Sequence, residues 1–142
     1  DGEAVREYGN ADAGDFICGA FSSDGRYIMV GGDNKQAFIW EIVGPDKEAV
    51  RPVLLQGHSD QIEDVKFLAS GTGPLRVFTA SRDKSAKVWD PRLDDPKGVG
   101  REVLNLRKHT QGLTAIDASD DGTVVITAGR DATLVVWPAS EP

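Results

Sequence analysis

The chain has 142 residues, a net charge of −7, a single cysteine and an apolar fraction of 39%. That length suits one ordinary domain; no apolar run is long enough to cross a membrane, and residues 1–20 lack the basic start and apolar stretch of a signal peptide. The acidic balance argues against a broad nucleic-acid-binding surface, and Cys18, which has no partner for an internal disulfide, agrees with a reducing, intracellular setting.

Strand-like runs alternate with turn signals along the whole chain, and no segment carries a helical period. "AVREY" (4–8) reads as a strand. Two further runs then flank Asp24-Gly25, a hairpin signal, and a third closes on Trp40. "VGPDKEAVRP" (43–52) has the composition of an exposed loop, and "PVLLQ" (52–56) that of another strand. Strands are expected near Ile62–Phe67, Arg76–Ser81 and Ala86–Trp89, with "GTGP" (71–74) lengthening the first hairpin into an exposed loop. "PRLDDPKGVGRE" (91–102) reads as a second exposed linker, and "VLNL" (103–106) as the strand after it. The last stretch repeats the hairpin at Asp121-Gly122 and closes on Trp137.

The tryptophans expose a repeat. Trp40, Trp89 and Trp137 each end a short apolar run and stand 49 and 48 residues apart. "ICGAFSSDGRYIMVGGDNKQAFIW" lies over "TAIDASDDGTVVITAGRDATLVVW" without a gap, at an offset of 97. A period in the forties with a strand-ending Trp marks an array of small sheets. The pattern resembles the WD-repeat family over nearly the whole chain. Gly57-His58 matches the family's Gly-His, and His109 keeps the His alone. The resemblance implies an all-β fold: three blades of a β-propeller, built from antiparallel four-stranded sheets in an incomplete ring. Residues 1–142 would form a partial propeller, with the outer strand and blade 1 in 1–43, blade 2 in 51–92 and blade 3 in 101–138. Each outer strand belongs to the blade before it, so the third blade lacks its own.

The resemblance also implies a hydrogen-bonded chain within a blade. It assigns His58, Thr79, Asp83 and Trp89 to blade 2, and His109, Thr127, Asp131 and Trp137 to blade 3. At the equivalent places blade 1 has Asp12, Val30, Asn34 and Trp40. Val30 has no side-chain hydrogen bond to offer, so packing by Phe16, Phe21, Ile28 and Phe38 is expected instead. The recurrence of the His, Thr and Asp set argues for structure over catalysis, since a catalytic set need occur only once. No enzyme activity, metal or cofactor is expected. "SSDG" and "SDDG" lack calcium-loop spacing, Gly31-Gly32 fits close backbone approach rather than a phosphate loop, and Cys18 falls in a core strand.

Two features rise above the scaffold. Asp33, Arg82 and Arg130 each precede the tight-turn Asp or Asn, a position that in the family points out on one rim. With Gln61 and Gln111 they are candidates to receive an acidic or phosphorylated partner, against the plainer reading of solvated or locally paired charges. Val77 to Arg92 is similar to a box in substrate receptors of cullin–RING ubiquitin ligases. That likeness would place Asp90 and Arg92 on the opposite rim against a ligase adaptor, although most of the box is simply a good repeat.

The order of details also looks like the propeller region of bromodomain and WD-repeat proteins, the group that includes the pleckstrin-homology-domain interacting protein. This implies a non-catalytic scaffold for proteins or peptides, nuclear more than cytoplasmic and chromatin-associated or serving a ligase. The alternatives are a propeller segment that positions an enzyme, or an RNA-processing WD-repeat protein. No membrane partner is expected, and nucleic acid is disfavoured by charge. Three blades are too few to close a ring. The chain is therefore expected to be a piece of a longer one or, failing that, to self-associate, with "AVREY" of one copy completing the last blade of another.

Overall fold

The computed structural model describes residues 2–44, 46–48, 51–68 and 74–139. Eleven strands run in chain order: β1 (Phe16–Phe21), β2 (Tyr27–Gly32), β3 (Gln36–Glu41), β4 (Val53–Gln56), β5 (Ile62–Phe67), β6 (Val77–Ser81), β7 (Ser85–Asp90), β8 (Arg101–Arg107), β9 (Leu113–Ala118), β10 (Val124–Gly129) and β11 (Leu134–Pro138). They make three antiparallel sheets, β1-β2-β3-β4, β5-β6-β7-β8 and β9-β10-β11. The third sheet has three strands among the described residues; in the first two the fourth strand, β4 or β8, follows a linker. The extra hairpin residues Gly71–Gly73 lie outside the described residues.

Each sheet has two apolar faces, and neighbouring sheets cover one another. Met29, Ala37 and Ile39 of blade 1 pack with Ile62, Val65, Phe67, Val77 and Trp89 of blade 2. On the other side of blade 2, Phe78, Ala80, Ala86 and Val88 pack with Leu113, Ile116 and Val125 of blade 3. Burying a side chain such as Phe78 or Ile39 fully stabilises the fold by roughly 1.5–3 kcal/mol. The residues of blade 3 that correspond to Phe78 and Val88, at an offset of 48, are Ile126 and Val136. Phe78 is fully buried, whereas Ile126 is 36% and Val136 59% exposed, because no sheet among the described residues covers that face of blade 3.

The junction of blades 1 and 2 needs a residue without a side chain. A Cβ on Gly31 would stand 2.5 Å from Ile62 Cγ2 and 3.0 Å from Ile62 Cβ. Polar straps reinforce the junction of blades 2 and 3. Ile116 N donates to Asp64 Oδ2 at 2.9 Å, and Lys66 pairs with Asp117 at 3.0 Å.

Two sequence expectations are corrected. Residues 4–8 are not a strand. Among the described residues no strand pairs with them. The segment instead ties down the linker after β3: Arg6 donates to the carbonyls of Gly44 and Lys47 at 2.7 Å, and Tyr8 Oη accepts Val43 N at 3.3 Å. Nor is linker 91–102 wholly exposed. Leu54 N donates to Gly98 O at 2.8 Å and Gly100 N to Leu54 O at 2.9 Å, so the linker of blade 2 lies along the outer edge of blade 1.

Gly31→Ala is expected to lower unfolding free energy by about 1–3 kcal/mol, the usual cost of overpacking, as read by urea denaturation. The β-branched Ile62 cannot swing clear of the added methyl.

Candidate functional site

Blades 2 and 3 each hold a buried polar chain. In blade 2, His58 Nδ1 lies 2.7 Å from Asp83 Oδ2 and Nε2 lies 2.6 Å from Thr79 Oγ1, while Trp89 Nε1 donates to the same Thr79 oxygen at 2.9 Å. In blade 3, His109 Nδ1 lies 3.0 Å from Asp131 Oδ2, its Nε2 2.8 Å from Thr127 Oγ1, and Trp137 Nε1 donates to Thr127 at 2.9 Å. One tautomer satisfies every atom: the imidazole donates from Nδ1 to the carboxylate, and the threonine donates to Nε2 while accepting from the indole. Thr79 and Thr127 are fully buried.

Asp83 is held below the usual carboxylate range. Burial alone would raise it, but hydrogen bonds from His58, Ser85 and Ser59 N outweigh that effect. Asp131 is lowered as well, first by the Thr133 hydroxyl and then, against desolvation, by His109. Every polar atom of both sets is engaged by a protein partner, which leaves none directed at a substrate. Among the described residues no group of His, Cys, Asp or Glu side chains is placed to hold a metal. Burial pushes the Cys18 thiol up to about 11, so it stays protonated at neutral pH.

Blade 1 is held differently. Phe38 stacks on Trp40 at 5.7 Å, and Phe16 meets Trp40 edge-on at 6.0 Å. Ile28 packs against the same cluster. Tyr8, which sequence reasoning did not single out, adds a ring 6.1 Å from Trp40. Phe21 is a correction: it is 71% exposed and takes no part. Its counterpart Phe67 is buried only because blade 1 lies against it. A polar remnant survives where Asn34 donates to Asp12 O at 3.0 Å.

The rim residues lie in turns at one end of the sheets. The tight turns share a left-handed residue at Lys35, Lys84 and Ala132 (φ 74°, 75° and 60°), which sets Asp33, Arg82 and Arg130 in like positions. Arg82 is bound to Glu63, which also accepts Gln61 Nε2 at 3.1 Å. Asp33 is tied locally, its carboxylate accepting Asp15 N at 2.9 Å. Gln111 and Arg130 are exposed and make no side-chain hydrogen bond among the described residues. The turns of blades 2 and 3 meet at Gly112: Arg130 N donates to Gly112 O at 2.9 Å, and a Cβ on Gly112 would stand 3.0 Å from Arg82 Cα. At the opposite end Asp90 pairs with Arg101 and Arg92 with Asp95, each at 3.9 Å.

The family model described as "WD domain, G-beta repeat" matches residues 4–41, 51–90 and 100–138. This chain belongs to the WD40 repeat family. It is 30% identical to the LEC14B protein of Lithospermum erythrorhizon over 135 residues, covering 92% of the chain and 27% of the relative. It is 31% identical to a ribosome biogenesis protein WDR12 homolog of Chlamydomonas reinhardtii over 99 residues, 68% of the chain and 22% of the relative. It is 26% identical to the U5 small nuclear ribonucleoprotein 40 kDa protein of Dictyostelium discoideum over 111 residues, 78% of the chain and 28% of the relative. The chain thus spans about a quarter of the length of these relatives.

The WD40 networks make two testable statements. Thr79→Val strands both the His58 ring nitrogen and the Trp89 indole in a dry site. It should cost roughly 2–4 kcal/mol in chemical denaturation, with Thr79→Ser retaining most of the stability. Because Asp83 and Asp131 are depressed in the folded state, their stabilisation is complete above the normal carboxylate range. It is lost as pH falls below about 4, which tryptophan fluorescence during acid titration will show.

Proposed function

We propose that this WD40 chain is a non-catalytic protein-interaction scaffold whose binding end is the one bearing Asp33, Gln61, Arg82, Gln111 and Arg130. The observation that carries this reading is the meeting of the blade 2 and blade 3 turns at Gly112, which makes one continuous surface from two repeats. Rim residues on rigid turns are positioned by the sheets beneath them and can contact a partner without reordering the fold.

The names of the relatives, in ribosome biogenesis and a small nuclear ribonucleoprotein, support a place in a nuclear assembly that handles RNA. This is the runner-up of the sequence reading, and we rank it above the bromodomain and WD-repeat group and its chromatin setting, which rest on sequence resemblance alone. The ligase-adaptor reading concerns the other end. There Arg92 keeps a half-exposed side chain beside Asp95, so a partner that displaced this pair would gain an arginine.

Affinity capture with quantitative mass spectrometry tests the assignment. Arg82→Ala with Arg130→Ala should lose the bound proteins, while Arg92→Glu should keep them. An unchanged set from the double variant would refute the rim. A protein lost only with Arg92→Glu would place the adaptor at the opposite end.

A further inference from the structure

We infer that the strap Leu93–Gly100, between β7 and β8, guards the outer edge of blade 1 and keeps β4 from pairing with the same strand of a second copy of the chain. An outermost strand turns the N–H and C=O of every other residue away from its sheet. These groups accept any strand laid beside them unless charge, proline or a covering segment prevents it. The two four-stranded sheets meet this hazard differently. β8 carries Arg101, Glu102 and Arg107 along its length. β4 reads VLLQ and has no charge at all.

The strap lies on the uncharged edge. β3 occupies the inner side of β4, and Leu54 directs its backbone groups to the outer side. Both are taken: Leu54 N donates to Gly98 O at 2.8 Å, and Gly100 N donates to Leu54 O at 2.9 Å. Leu54 and Val99 thereby form a parallel bridge, one residue of a fifth strand, and no other strand can add there while the strap is down. The local sequence fits this position. Gly98 has φ 64°, a left-handed state that a β-branched residue adopts only with strain. A Cβ on Gly100 would overlap Leu55 Cδ2 and stand 3.2 Å from Asp90 O, so the strap can come this close only without a side chain there. Two turns shape the rest, with Asp95 N donating to Arg92 O at 2.9 Å and Gly98 N to Asp95 O at 3.0 Å. Leu93 anchors it, packed with Tyr27 and Leu75 against the core shared by blades 1 and 2.

A second copy is the partner that this edge admits most readily. β4 against β4, antiparallel about a two-fold axis, sets apolar side chains beside apolar side chains and opposes no like charges. β11 also has no strand on its outer edge among the described residues. Association through β11 is common to the parent and to every strap variant, so the quantity that reports on β4 is the difference between them.

Hydrogen exchange together with sedimentation velocity tests the strap. Gly98→Val should speed exchange of the Leu54 amide at least about tenfold and add a concentration-dependent dimer, while the Thr79 amide stays as protected as in the parent and so reports an intact blade 2. Val99→Pro should do the same: its site is 41% exposed, so it disturbs no core, and the proline pushes Gly98 towards extended backbone. Gly98→Asn, a residue that tolerates the left-handed state, should change neither measurement. Gly98→Val with Gln56→Lys should still exchange fast at Leu54 but lose the added dimer, because a charge then stands on the exposed edge. Unchanged exchange at Leu54 in both strap variants, fast exchange with no added dimer, or a dimer that survives Gln56→Lys would overturn the inference.

Discussion

A sheet with Val, Ile, Phe and Trp on both faces must be covered on both sides, and this requirement organises the molecule. Each blade meets it by lending one face to the blade before and one to the blade after. The packing is close enough that Gly31 must remain without a side chain opposite Ile62. Blade 2, flanked on both sides, is the best buried, with Val77, Phe78 and Trp89 almost wholly removed from water. Among the described residues blade 3 is covered by blade 2 alone, and Leu134 and Val136 are exposed. The same residue type is core or surface according to which sheet follows.

Within that arrangement the polar chains do a different job. A buried indole N–H and imidazole would be costly alone. In blades 2 and 3 a threonine and an aspartate satisfy them, and the histidine ties the loop before the inner strand to the tight turn at the rim. The rim is therefore rigid where its arginines are presented. Blade 1 has Val30 in place of the threonine and stabilises Trp40 by ring packing instead, helped by Tyr8 from the segment before β1. That segment pairs with no strand among the described residues, yet it packs a ring against the tryptophan.

Charge follows the geometry of the strands rather than the order of the chain. Between Arg92 and Lys108 five basic residues are diluted by Asp94, Asp95 and Glu102. In space β8 carries Arg107 and Lys108 to one end and leaves Arg92 and Arg101 paired with Asp95 and Asp90 at the other.

The repeat, the all-β class and the order of strands were legible in the residues, because a blade is a local unit. Its hairpins close over a few residues, and its alternation and turn chemistry are written in one stretch of chain. The His, Thr, Asp and Trp partners were named as what the WD-repeat resemblance implies, and the structure brings each set together within one repeat. What depended on contacts between repeats could not be read. Phe21 was expected inside and lies outside, since its cover would come from another sheet. Arg82 could be read as a rim contact or as a solvated or locally paired charge, and only the fold sets Glu63, 19 residues away, against it across the β5–β6 pair. The docking of Gly98 and Gly100 on Leu54 arises only when sheets are set side by side. Local pattern determined what each blade is; only the tertiary structure decided what each blade touches, because burial and pairing between distant segments belong to the assembled sheets and not to any one of them.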